Sequence, residues 1–347
     1  MTALTTNRTQ TTYPIHEIYY RLEMEGFDTP FVRNYVLPEW WDDMMSVNPA
    51  TRSMAEVYIS RMIGISVQSL RNPAVPLQSL HDAEFRLKRN KNVTVDKLRP
   101  AIMLSQSLAS ILVKSLNGLP NYRPGHEALN IRREILAKRT SVDLTGLLEW
   151  AWEHGIIVVH LKQLPQGTKN LIGVAMCFED RPVIVLAGKS DSPPWLAFHL
   201  AHELGHIVKN HVLSGQTLLD DKINWLQRSG EATQEKNFEQ CEVEANEFAL
   251  FVLTANPALR FEQAYGLTAQ KLAAYARAQE DVTGINAGTL ALIYGYTASR
   301  MGVAQNALKQ LELYHGAHKL IADMAKLHLP DDISEALSAF LPLIDCE

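Results

Sequence analysis

The sequence predicts an α+β fold: a mainly helical chain with a small β-sheet beside a helix that carries the pattern His-Glu-x-x-His. Three observations predict it. Apolar residues recur at helical spacing over most of the chain, as in LRPAIMLSQSLASILVKSL, where Ile102, Leu104, Leu108, Ile111, Leu112 and Leu116 fall near helical repeats. The texture then changes to short β-branched runs, GIIVVHL (155–161), LIGVAMCF (171–178) and RPVIVLAG (181–188), with Glu179–Asp180 making a tight connection between the second and third. Directly after them, SDSPPW offers Ser192 as an N-cap with Pro193 at the first helical position, so a helix is expected over 193 to about 209.

Taken in order, the first dozen residues, MTALTTNRTQTT, read as a flexible tail, since they lack the apolar stretch of a signal peptide. Residues 13–80 are helical in spacing, and AEVYISRMIGISVQSLRNP resembles a helix-turn-helix of the phage-repressor (XRE) type: Ser60, then Ile63, Gly64 and Ile65 at the turn, and Val67 and Leu70 inside a second helix. That reading places Ser66, Gln68, Ser69, Arg71 and Asn72 on or near a recognition helix as DNA contacts. FRLKRNKNVTVDKLR adds Arg86, Lys88, Arg89 and Lys91 for phosphates. The alternative is a helical hairpin that binds no DNA, because Pro73 and Pro76 cut the second helix short. Residues 81–140 are expected to form a helical linker region. Charge divides similarly: residues 1–140 carry 18 Lys+Arg against 13 Asp+Glu, net +5, and residues 141–347 carry 15 against 25, net −10. Halves of opposite sign suggest different partners, with DNA a candidate for the first.

Composition narrows the class. At 46% hydrophobic and 20% charged the chain is globular, and no apolar run approaches the roughly 18 residues that span a bilayer, so no membrane role is expected. Its three cysteines, Cys177, Cys241 and Cys346, are far apart and odd in number, which fits a reducing cytoplasm and provides no cysteine zinc motif.

The stretch WLAFHLAHELGHIVKNH concentrates the chemistry. On a helix His202 and His206 lie one turn apart on one face and can present ring nitrogens to one ion. A catalytic zinc needs a third protein ligand, an open position and a nearby base, and Glu203 is placed for the base. The next helix, expected over 239–253 after a polar, loop-like 211–238, carries EQCEVEANEFALFVL. There Glu242 can supply a carboxylate and Asn246, one turn on, an amide that orients a ligating histidine. Ala245 and Ala249 would let the two helices approach. Glu244 and Glu247 are rival carboxylates, and His199 and His211 are further imidazoles near the motif.

LAHELGHI, preceded by a short hairpin and followed by EVEANEFALFVL, resembles the ImmA/IrrE family of bacterial zinc metallopeptidases over roughly residues 140–256. The resemblance implies a zincin-like HExxH helix, Zn2+ held by His202, His206 and Glu242, and Glu203 as general base. Together with the patterns read above, and with the stretch from Pro257 onwards mainly helical in spacing, it divides the chain into a tail (1–12), a helix-turn-helix-like domain (13–80), the linker (81–140), a zinc metallopeptidase domain (141–256) and a C-terminal helical domain (257–347). It implies an endopeptidase acting on a specific protein substrate, a transcriptional repressor, in a stress or mobile-element response. A DNA-binding regulator or toxin–antitoxin component with a structural or sensory metal is the competing reading. Strand 181–188, expected at a sheet edge just before the zinc helix, would align an extended substrate by main-chain hydrogen bonds. The loop between the two helices is longer than usual, and His199 stands where the family usually has a threonine or similar residue.

Overall fold

In chain order the helices are α1 (Ile15–Met24), α2 (Thr29–Phe31, continued by a π-turn over Val32–Val36), α3 (Pro49–Ile59, continued by a π-turn over Ser60–Gly64), α4 (Val67–Arg71), α5 (Arg99–Ser115), α6 (Ala128–Leu136), α7 (Leu144–Glu153), α8 (Pro193–Val208), α9 (Lys236–Thr254), α10 (Ala269–Thr283), α11 (Ala287–Thr297), α12 (Met301–Gln310), α13 (Ala317–Lys326) and α14 (Glu335–Ser338). The strands β1 (Phe85–Leu87), β2 (Ile157–His160), β3 (Gly173–Phe178), β4 (Arg181–Leu186) and β5 (Thr217–Asp220) form one sheet of order β1-β5-β3-β4-β2. The computed structural model describes residues 13–81, 85–87, 97–168, 171–215, 217–220, 236–261 and 266–346.

The expected hairpin is β3–β4. Phe178 pairs with Arg181, and the two residues between them, Glu179 and Asp180, have φ of 49° and 63°. Positive φ at both positions is the type I′ turn, whose twist matches that of the flanking strands. Strand β3 also pairs antiparallel with β5, while β2 lies parallel to β4 and β1 parallel to β5.

Both faces of β2, β3 and β4 are covered, which is why these strands read as continuous apolar runs. Val158, Ala175, Ile184, Leu186 and Leu218 share a core with α8, α9 and the helices after them. The alternate residues Ile157, Val159, Val174, Met176, Val183 and Val185 share a second core with α1, α3, α5 and Leu337–Cys346. Helix α8 lies inside the first core, packed against α7, α9, α11, β3 and β4. Its start is as the sequence predicts: Ser192 is extended, its carbonyl accepts from Leu196 N–H, and Pro193 and Pro194 occupy the first turn. The Ser192 hydroxyl, with those two N–H groups absent, donates to the Leu313 carbonyl at 2.8 Å instead. Downstream, Gly284 ends α10 in the left-handed conformation and the Asn286 side chain caps α11, as their helix-breaking character suggests.

Four expectations are corrected. Residues 211–238, read as loop, contain β5, and the basic stretch after residue 84 contains β1; strands this short in polar sequence are made by their partners rather than by their own pattern. Strand β4 is not an edge: β2 and β3 flank it, so its main-chain groups are committed and cannot align a substrate. The expected recognition helix is only the five residues of α4, ending at an extended Asn72 before Pro73, which disfavours helical backbone in the residue before it.

In and around α4 the proposed DNA contacts are mostly engaged. Ser69 is buried, donating from its hydroxyl to Ser66 O at 2.8 Å and accepting from Gln78 N–H at 3.1 Å. Arg71 pairs with the buried Glu56 carboxylate, and Asn72 Oδ1 accepts from Ala74 N–H. Gln68 is exposed. Lys88, Arg89 and Lys91 lie outside the described residues.

Candidate metal centre

Fourteen of the sixteen residues of α8 are buried, His202, Glu203 and His206 completely. A helix buried all round needs close neighbours, and Gly205 provides one: a Cβ there would lie 3.0 Å from Ala245 Cα. The two helices therefore approach at Gly205 and Ala245, which brings Glu242 of α9 to the histidines. His202 Nε2 is 2.9 Å from His206 Nε2, and each is 3.5 Å from an oxygen of Glu242, itself fully buried. Among the described residues these three form the group whose ligand atoms lie within 4.8 Å of one another.

The hydrogen bonds behind the imidazoles define what this group is. His202 Nδ1 lies 3.1 Å from Asn246 Oδ1, an acceptor, so Nδ1 carries the proton, the tautomer that leaves Nε2 to present a lone pair to a cation. His206 Nδ1 lies 3.0 Å from His211 Nδ1, and His211 Nε2 lies 3.0 Å from Glu244 Oε2. A hydrogen bond from Gln240 holds the Glu244 carboxyl below its usual range, aided by His211, and burial lowers the His211 pKa against the pull of Glu244. An ionised carboxylate only accepts, so His211 Nε2 donates to it. His211 Nδ1 then accepts from His206 Nδ1–H, which again leaves Nε2 bare. Two ring nitrogens and a carboxylate thus converge at a fully buried point, an arrangement a divalent cation satisfies. The donor set fits zinc: two imidazoles and one carboxylate.

Glu203 lies on the same helix but against β3, where a Cβ on Gly173 would overlap its Oε1. The glycine makes room for the carboxylate. His199 is not in the convergent group. It is buried, both ring nitrogens lack a hydrogen-bond partner among the described residues, it packs against Trp195 and Phe198, and burial, with His202 nearby, lowers its pKa to about 3. Glu244 sits behind His211 rather than at the centre.

Sequence reasoning missed two features here. Gly173 had a signal, since glycine inside a strand often marks close approach of another group. The bond from His206 to His211 had a fainter one: Asn210, at φ 56°, ends α8 in a Schellman motif, with His211 N–H bonding His206 O and Asn210 N–H bonding Ile207 O.

A helix carrying His-Glu-x-x-His, packed on a small sheet and completed by a carboxylate from the next helix, defines a metallopeptidase-type centre. Residues 153–286, less than half of the chain, match the model of the family Peptidase_M78, described as the IrrE N-terminal-like domain. That part of the chain therefore carries a domain of the ImmA/IrrE type, and the match runs through α10, beyond the stretch to residue 256 that the motifs themselves cover. The chain matches no curated protein and no solved structure.

Proposed function

We propose that the protein is a zinc-dependent endopeptidase that cleaves one specific protein, a transcriptional repressor, in a stress or mobile-element response. The convergence of His202, His206 and Glu242, with the Glu203 carboxylate beside it on the same helix, carries the reading. Zinc in such a set supplies Lewis acidity, acidifying water and polarising a carbonyl. The chain's own contribution is then the work of four residues. His202 and His206 present Nε2, each fixed by its bonded Nδ1. Glu203 takes a proton from the attacking water at a carboxylate oxygen and passes it to the leaving nitrogen. Gly173 lets that carboxylate sit close to the sheet.

One observation favours a second reading, a regulator whose metal is structural or sensory: His202, Glu203, His206 and Glu242 are all closed off from solvent, as in a structural site. For a peptidase, substrate binding has to open this closure. The test pairs metal analysis with cleavage of the repressor encoded beside its gene, using wild type and Glu203→Gln. The peptidase reading expects about one zinc per chain in both proteins, and cleavage by the wild type that falls on the order of 10²–10⁴-fold in the variant. Zinc in both with no cleavage by either supports the regulator.

A further inference from the structure

His206 has a hydrogen-bond partner unlike that of His202. The acceptor behind His202 is an amide on α9, Asn246; the acceptor behind His206 is another imidazole, His211, which is backed by a carboxylate. Backbone geometry puts it there. The left-handed Asn210 folds the chain over the last turn of α8, so that His211 is bound to His206 twice, through N–H to carbonyl at 2.8 Å and through Nδ1 to Nδ1 at 3.0 Å. From His211 the line continues to Glu244, whose other oxygen accepts from Gln240 Nε2 at 2.8 Å. Glu244 lies well round α9 from Glu242, so one helix supplies a carboxylate to the centre from one side and a carboxylate to the outer end of this line from another.

We propose that His211 and Glu244 are a positioning dyad for His206: they fix its Nδ1–H tautomer and its ring orientation, and so aim its Nε2 at the point where His202, His206 and Glu242 converge. This rests on the reading of His206 as a metal ligand. Partners behind a ligating histidine act this way in general, and their loss typically weakens metal binding by about 10–100-fold. The role differs from a surface ion pair, because Glu244 alone is partly exposed while His211 and His206 are buried, and because a simple cap on the end of α8 would leave the metal's properties untouched.

The test uses the full-length protein stripped of metal. Zinc affinity is measured by competition with a chromophoric chelator, and the cobalt(II)-substituted protein gives an absorption spectrum sensitive to ligand geometry. His211→Phe keeps the bulk and removes the acceptor; it is expected to lose affinity by about 10–100-fold and to shift the cobalt bands. His211→Asn places an amide oxygen two bonds from Cβ, where Nδ1 stood, and is expected to restore affinity to within a few-fold of wild type, as Asn246 already serves His202. Glu244→Ala leaves His211 in place without its anchor and is expected to lie between these, with Glu244→Gln closer to wild type. Melting of the metal-free proteins checks the fold. The dyad is overturned if His211→Phe, or Glu244→Ala should His211→Phe not fold, binds zinc as tightly as wild type with an unchanged cobalt spectrum. A wild type that binds no zinc is a separate result: it refutes the ligand reading, and the dyad with it.

Discussion

In α8 the polar side chains face inward: His202, Glu203 and His206 have no exposed surface, although nothing in the stability of a helix asks for them there. In and beside α4 the polar side chains stay near the surface or bond to local backbone: Gln68 is exposed, the Ser69 hydroxyl closes a turn, Arg71 pairs with Glu56 and Asn72 caps the next turn. Burying an ionisable group costs several kcal/mol unless it is paired or coordinated. The burial in α8 therefore marks a purpose that local folding does not supply, whereas the polar groups of α4 are explained by the bonds they already make. Motif resemblance alone treats the two helices as equals, and burial separates them.

The most direct way to break this contrast is to remove a group from the convergent set. His202→Ala, His206→Ala and Glu242→Ala should each weaken zinc binding by more than the roughly 100-fold that loss of a partner behind a ligand causes, measured by metal content after dialysis against a chelator. If one of them keeps the wild-type content, burial in α8 has another cause. A smaller effect is expected from Gly173→Ala, which leaves the ligands alone but pushes on Glu203. Displacing a reacting group by about 1 Å can cost on the order of 10²-fold, so cleavage should fall by up to that factor while zinc content stays at the wild-type level. Equal cleavage by the variant would mean that Glu203 works from another position. The smallest effects belong to α4. Arg71→Ala should lower stability by about 1 kcal/mol, since the arginine is half exposed but its partner Glu56 is buried, and Gln68→Ala should change it by less than about 0.5 kcal/mol. Both are to be compared with wild type for binding to duplex DNA. Weaker binding by Gln68→Ala at unchanged melting temperature would restore α4 as a reader of DNA and erase the distinction drawn from burial.

What the sequence made legible follows the same division. Helices α8 and α9 and the β3–β4 hairpin have strong local signals: two prolines after Ser192, a helix-length apolar pattern, and β-branched runs around a two-residue turn. The convergence of Glu242 on His202 and His206 was legible from spacing and resemblance, because both helices are regular and small residues stand where they meet. Strands β1 and β5 were not, since three or four residues acquire strand geometry only from the neighbours they join. Nor was the position of β4 inside the sheet, which depends on β2 closing one side and β3 the other. The line from His206 through His211 to Glu244 depends on one left-handed residue and on how α9 lies across the end of α8; no periodicity encodes either.

The covering of the sheet on its reverse face has a consequence for how the molecule can be cut. Val174, Met176, Val183 and Val185 lie in one core with residues of α1, α3 and α5 and of the segment Leu337–Cys346, drawn from the two ends of the chain, and α5 packs directly on β3 and β4. A truncation at residue 140 would turn that layer of side chains toward water, at about 1.5–3 kcal/mol for each one fully exposed, while the severed N-terminal piece would lose the surface it was shaped against. Isolated fragments are thus poor proxies for either half. Strands β3 and β4 are clamped from behind as well as from the front, so the His202–His206–Glu242 group, the N-terminal helices and the last residues should resist hydrogen exchange and proteolysis together, as one cooperative unit rather than as separable parts.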